Sequence, residues 1–231
     1  MNIYFLVEGK RNEFKVYPKW LSHLLPELTR VEQAHKTRKN NYFIFSGQGY
    51  PSILHNHLKN SVADVNELSV YNYLVLCIDS DEETVEQRKD EVLKFLVKEA
   101  IKLNENTELV LIIQNRCFDT WFLGNRKIFK NNPQSESLKP FIKFYNVKKD
   151  DPELMGKLET HATHAQFHSA FLKELLSEKK IEYTKANPRG VVEEHFLKEL
   201  IKRANTTNHI QTFKSFINFC NKVKEQISEL G

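Results

Sequence analysis

Along the first half of the chain, short unbroken apolar runs alternate with longer stretches in which apolar residues recur every three or four positions. The first run, residues 3–7, is rich in β-formers and stops at Glu8-Gly9; Phe14, Tyr17, Leu21, Leu24 and Leu25 then follow at helical spacing. The second, residues 42–45, ends in Ser46-Gly47-Gln48-Gly49 and gives way to Ile53, Leu54, Leu58 and Val62, again with a helical period. The third, residues 73–78, ends in Asp79-Ser80-Asp81 ahead of a charged helix with Val85, Val92, Leu93, Leu96 and Val97 on one face. Residues 109–113 form the fourth. A strand with one solvated face alternates apolar and polar residues, whereas a run without alternation is covered on both faces, as in parallel sheets. The pattern predicts an α/β domain over residues 1–118: an open sheet of about four mainly parallel strands with flanking helices.

The second half reads differently. Helical periods occupy residues 165–178, 191–204 and 209–228, the last marked by Ile210, Phe213, Phe216, Ile217, Cys220, Val223, Ile227 and Leu230. Residues 119–231 are therefore expected to form a mainly helical extension packed on the first domain, with a partly irregular connection around Pro133, Pro140 and Pro152. The Phe-rich stripe from 213 to 219 reads most simply as a buried helix face, and as a partner-docking surface if exposed.

Composition narrows the class. A hydrophobic fraction of 40% over 231 residues excludes a disordered chain, and 7 Gly with 7 Pro disfavour a turn-rich all-β sandwich. The longest apolar runs fall far short of the roughly 18 residues that cross a bilayer, so no membrane partner is expected. The N-terminus turns charged within its first ten residues and lacks a leader's pattern, which predicts a cytoplasmic location. Cys77, Cys117 and Cys220 are widely spaced in apolar contexts and read as buried thiols, not as a disulfide framework or a zinc site. No GxxxxGK[ST] motif occurs, so the chain is not itself a P-loop ATPase. A net charge of +4 allows a nucleic-acid partner without demanding one.

In open parallel sheets, ligands bind outside the carboxyl ends of the strands. Here those ends carry Glu8, the Gly47/Gly49 loop, and Asp79 with Asp81. Strand alternation would turn the Asp79 and Asp81 side chains to the same side, where they could converge with Glu8. Carboxylates so gathered repel unless a cation neutralises them, and oxygen donors without His or Cys suit Mg²⁺ or Mn²⁺. Any one of these acids, taken alone, reads more simply as a helix N-cap.

Together, Leu6-Val7-Glu8-Gly9, Gly47-Gln48-Gly49 and Asp79-Ser80-Asp81 resemble the signature of the Toprim domain, the catalytic module of topoisomerases, bacterial-type primases and OLD-type nucleases. The resemblance spans about residues 1–120. Glu13, soon after Glu8-Gly9, and Asn115-Arg116-Cys117-Phe118-Asp119-Thr120-Trp121 resemble the OLD-type and RloB-like branch of phage-defence effectors. What the resemblance implies is a divalent-metal-dependent nuclease acting on DNA or RNA. Glu8, Asp79 and Asp81 would be its principal metal ligands, with Glu13 and Asp119 in support and Lys185 a downstream catalytic lysine. Phosphate or nucleic-acid contact would fall to Gly47, Gly49, Lys10, Arg116 and Arg189. It also implies a separately encoded ABC- or AAA-type ATPase partner; a homodimer is left open. The competing classes are a non-catalytic adaptor that keeps the fold to hold nucleic acid or a partner, and a primase-type nucleotidyl transferase.

Other features weigh less. His161, His164 and His168 would share a helix face if the helix began before 161, either as a metal site or as a polar surface stripe. His55-Asn56-His57 spells HNH without the flanking elements of an HNH nuclease. The basic segment at residues 35–39 is as readily a solvated loop as a phosphate contact.

Overall fold

The computed structural model describes residues 1–230, except the side chain of Leu230, so the last member of the predicted C-terminal stripe and Gly231 lie outside the described residues. The four apolar runs become β1 (Asn2–Val7), β3 (Asn41–Ser46), β4 (Tyr73–Asp79) and β5 (Glu108–Gln114), joined at one edge by a short β2 (Thr29–Val31) that the pattern did not predict. Among the described residues these five strands form one all-parallel sheet in the order β2-β3-β1-β4-β5. The central β1 pairs in register with both neighbours, Val7 opposite Ser46 on one side and Cys77 on the other. The helices are α1 (Glu13–Leu24), α2 (Lys59–Leu68), α3 (Val85–Lys98), α4 (Phe118–Phe122), α5 (Lys139–Phe144), α6 (His164–Glu178), α7 (Glu194–Thr206) and α8 (Gln211–Leu230). The α/β class, the parallel sheet and the helical C-terminal region agree with the sequence reading. None of the described helices is long and apolar enough to cross a membrane.

The residues fall into two compact units that interleave in sequence. One comprises Met1–Ile78, Val85–Ile113 and Asn218–Gly231; the other comprises Asp79–Thr84 and Gln114–Ile217. The second half of α8 groups with the sheet, and the short segment after β4 groups with the helical unit.

In the sheet unit, alternate residues of each strand serve opposite layers. Tyr4, Leu6, Leu74, Leu76 and Ile78 are buried with Ile53, Leu54, Leu58, Val62 and Val65. The stretch from Ile53 to Leu58 is a π-helical turn leading into α2, where the period predicted plain α-helix. Residues of the opposite parity face other elements: the Phe5 ring lies 6.4 Å from those of both Tyr17 of α1 and Phe219 of α8, and Phe219 also meets Tyr73 at 5.3 Å.

The helical unit is built around aromatic side chains. Trp121 packs on Phe213 at 5.4 Å and Phe216 at 6.0 Å, and Phe122 meets Phe196 and Tyr183 at 6.2 and 6.1 Å. The stripe from 213 to 219 is thus buried, and the docking alternative falls away. Arg203, 1% exposed, donates to the carbonyls of Gly124, Val147 and Asp150 and to His209 Nδ1. All three cysteines are free and buried, as expected.

Candidate functional site

At the end of β1 the chain turns tightly around Glu8. Its N–H donates to the Cys77 carbonyl at 3.0 Å, and its own carbonyl accepts from Gly49 N–H at 2.9 Å. The half-buried carboxylate accepts the Tyr50 N–H at 3.2 Å on Oε1. Gly49 has φ +89°, a conformation that favours glycine, with open space around its Cα. Gly47 is needed for a different reason: a Cβ there would lie 2.4 Å from Ile53 Cβ. Both glycines therefore shape the loop that holds Glu8.

Glu13 comes back to the same turn. It opens α1, is only 8% exposed, and its carboxylate covers Gly9 so closely that a Cβ on Gly9 would come within 2.0 Å of Oε2. Burial pushes the Cys77 thiol up to about 12; a hydrogen bond with Tyr17 pulls the other way, and the Glu13 charge adds a smaller upward push. Lys10 is exposed.

Behind the loop, Arg88 of α3 is 3% exposed and lies with Cζ 4.0 Å from the Tyr50 ring centre. Its Nη1 donates to Glu91 Oε2 at 2.6 Å, and the Tyr50 hydroxyl donates to Glu91 Oε1 at 2.5 Å. Neither Tyr50 nor Arg88 stood out in the sequence. The signal that could have found Tyr50 is its place directly after Gly47-Gln48-Gly49; Arg88 is one charge among many on its helix.

In the helical unit, Asp79 is the last residue of β4 and is half-buried. The strand stops there, so the alternation expected to align Asp79 with Asp81 does not continue. Asp81 instead sits in a left-handed turn with φ 53°. That turn is fastened to the residues after β5: Ser80 N–H donates to the Gln114 carbonyl and Asp81 N–H to the Arg116 carbonyl, each at 2.9 Å. Arg116, itself at φ 67°, donates its N–H to Ser80 Oγ at 2.8 Å and its Nη1 to the Glu82 carbonyl at 3.0 Å. Expected to reach phosphate, Arg116 is used here as a brace for this turn.

Asp119 is 1% exposed on α4 and accepts the Tyr183 hydroxyl on Oδ1 at 2.5 Å. Two residues on, Lys185 occupies the tip of a tight turn closed by hydrogen bonds between Thr184 and Asn187. Burial pushes the Cys117 thiol far up; the Asp119 and Asp79 carboxylates add to this, whereas the Thr120 hydroxyl and the Lys185 ammonium counter it. Asp79, Asp119 and Lys185, separated by over a hundred positions in sequence, thus act on one buried thiol. Arg189 is exposed.

The His164 and His168 rings meet edge-on at 6.1 Å, but His161 does not join them. The helix begins at His164, so His161 lies outside it, with Nδ1 against the Thr160 hydroxyl. His164 pairs with Glu82 at 2.6 Å. His168 is fully buried between Thr120 Oγ1 at 2.8 Å and the Met155 carbonyl at 3.1 Å. His55 and His57 lie edge-on to Phe95 and tilted on Phe45.

Among the described residues, no three His, Cys, Asp or Glu side chains form a group able to hold a metal ion. Mg²⁺ seldom requires one, since it is commonly held by one or two carboxylates and completes its shell with water and substrate phosphate. The donor chemistry of Asp79 and Asp119 in one unit, and of Glu8 and Glu13 in the other, fits such a hard cation. No protein-family model, curated protein or solved structure matches the chain.

Proposed function

We propose that the chain is a divalent-metal-dependent nuclease of the Toprim type that hydrolyses phosphodiester bonds in DNA or RNA. The observation that carries the reading is the buried Asp119 carboxylate, 1% exposed and held by the Tyr183 hydroxyl, in the same compact unit as Asp79 and Lys185. The resemblance assigns Glu8, Asp79 and Asp81 as principal ligands of Mg²⁺ or Mn²⁺, with Glu13 and Asp119 in support. Bound there, the ion supplies neutralisation of phosphate charge and acidification of water near neutral pH.

The protein's own groups divide the remaining work. Tyr50 N–H fixes the Glu8 carboxylate, and Tyr183 fixes that of Asp119. Lys185 offers its amino group to a non-bridging phosphate oxygen. As a member of the OLD-type and RloB-like branch, the chain would serve anti-phage defence beside a separate ATPase.

The test is cleavage of labelled single- and double-stranded DNA and RNA with Mg²⁺, Mn²⁺ or chelator. Asp79→Asn and Glu8→Gln should each lower cleavage by at least about a hundredfold with unchanged circular dichroism. Cleavage that survives either substitution overturns the assignment. If calorimetry finds no divalent-ion uptake dependent on Asp79, the adaptor reading takes its place.

A further inference from the structure

Tyr50 has a ring held from one side only. Its backbone N–H is committed to Glu8, its hydroxyl to Glu91, and one ring face to the Arg88 guanidinium at 4.0 Å. The residue is 38% exposed.

A large apolar ring left partly in water is ordinarily free to choose among rotamers. Here three attachments on the backbone, the ring face and the hydroxyl remove that freedom in advance. Arg88 is itself buried and tied to Glu91 at 2.6 Å, so the platform beneath the ring is rigid as well. A pre-ordered aromatic face loses little entropy when a planar group lies against it. Every nucleobase has such a face, and stacking of this kind tolerates any sequence. A flat partner would also bring its phosphates close to Glu8, whose carboxylate shares the loop.

We propose that Tyr50 is a stacking platform for an unpaired nucleobase of the substrate, making the preferred substrate single-stranded nucleic acid or an unpaired segment of it. This rests on the nuclease reading of the Glu8 end of the sheet.

The experiment uses the full chain and short fluorescein-labelled single-stranded oligonucleotides, with Ca²⁺ replacing Mg²⁺, and reads binding by anisotropy. Tyr50→Ala and Tyr50→Leu should each weaken binding by about tenfold, whereas Tyr50→Phe should stay within about twofold. An abasic site walked along the oligonucleotide should meet one position that lowers parent binding to the level of Tyr50→Ala and leaves Tyr50→Ala itself unaffected. That match is the readout a merely structural role would not move. Binding by Tyr50→Leu equal to the parent, or a loss matched by no abasic position, overturns the platform and leaves the nuclease reading standing. A parent protein that binds no oligonucleotide overturns both.

Discussion

Gly9 and Gly47 differ in what a methyl group would meet. At Gly9 the obstacle is the tip of the flexible Glu13 side chain, at 2.0 Å; at Gly47 it includes the backbone, with Ile53 Cα at 2.7 Å. Gly47→Ala should therefore cost about 1–3 kcal/mol in urea unfolding, as overpacking does. Gly9→Ala should cost little stability but displace the Glu13 carboxylate, lowering metal-dependent cleavage while the melting temperature holds. Two buried titratable groups in the helical unit set opposite pH trends. Burial pushes the His168 imidazole down to about 4, and pushes the Glu153 carboxyl up to about 7 at the start of α8, where it accepts from the N–H and hydroxyl of Thr212. A carbonyl can only accept, so His168 carries its proton on Nε2 toward Met155 and accepts from Thr120 on Nδ1. The stability that neutral His168 contributes is complete above the ordinary imidazole value of 6.5 and is lost as pH falls toward about 4. That from protonated Glu153 is complete below 4.5 and is lost as pH rises through about 7. Relative to the parent, Glu153→Gln should gain stability as pH rises across its window, and His168→Asn should gain as pH falls across its own, each by about 1.36 kcal/mol per pH unit at most. Unfolding curves over a pH series check both signs.

At the scale of elements, uninterrupted apolar runs made the four long strands legible, and in β1 and β4 burial on both faces leaves its mark on nearly every position. β2 was not legible: three residues, Thr29, Arg30 and Val31, are too few to display a period, and they pair only with β3 at the sheet's edge. The start of α6 follows from Thr163, whose hydroxyl accepts the Gln166 N–H at 3.1 Å and ends the helix short of His161. That cap, not periodicity, decides that the three histidines share no site. The strand-end acids were legible as a set of positions, whereas their surroundings were not: Tyr183 reaches Asp119 from beside a tight turn that no local pattern announces. Arg203 shows how far local reading falls short, since a cationic residue on α7 ties together three carbonyls from the segment 124–150. Arg203→Met keeps the length but leaves those carbonyls without their donor, and should cost about 3 kcal/mol or more in urea unfolding. Arg203→Lys should recover only a part, for lack of the planar fork.

For the molecule as a whole, the sheet unit draws on both ends of the chain. Asn218–Gly231 belongs to that unit, and Phe219 covers Phe5 and Tyr73 there. A fragment ending at residue 118 should expose this face, bind a hydrophobic dye and aggregate; supplying residues 211–231 as a peptide should suppress the dye signal. Closure of this kind joins positions more than two hundred residues apart, beyond anything a periodicity reports. A different tension is held at Asp81. Its left-handed backbone, φ 53°, is one that glycine adopts without strain and that costs other residues about 1–2 kcal/mol, less for Asp. Laboratory evolution makes the consequence visible: a library at position 81 selected only for resistance to heat would drift toward glycine, and one selected for cleavage would return to the acid.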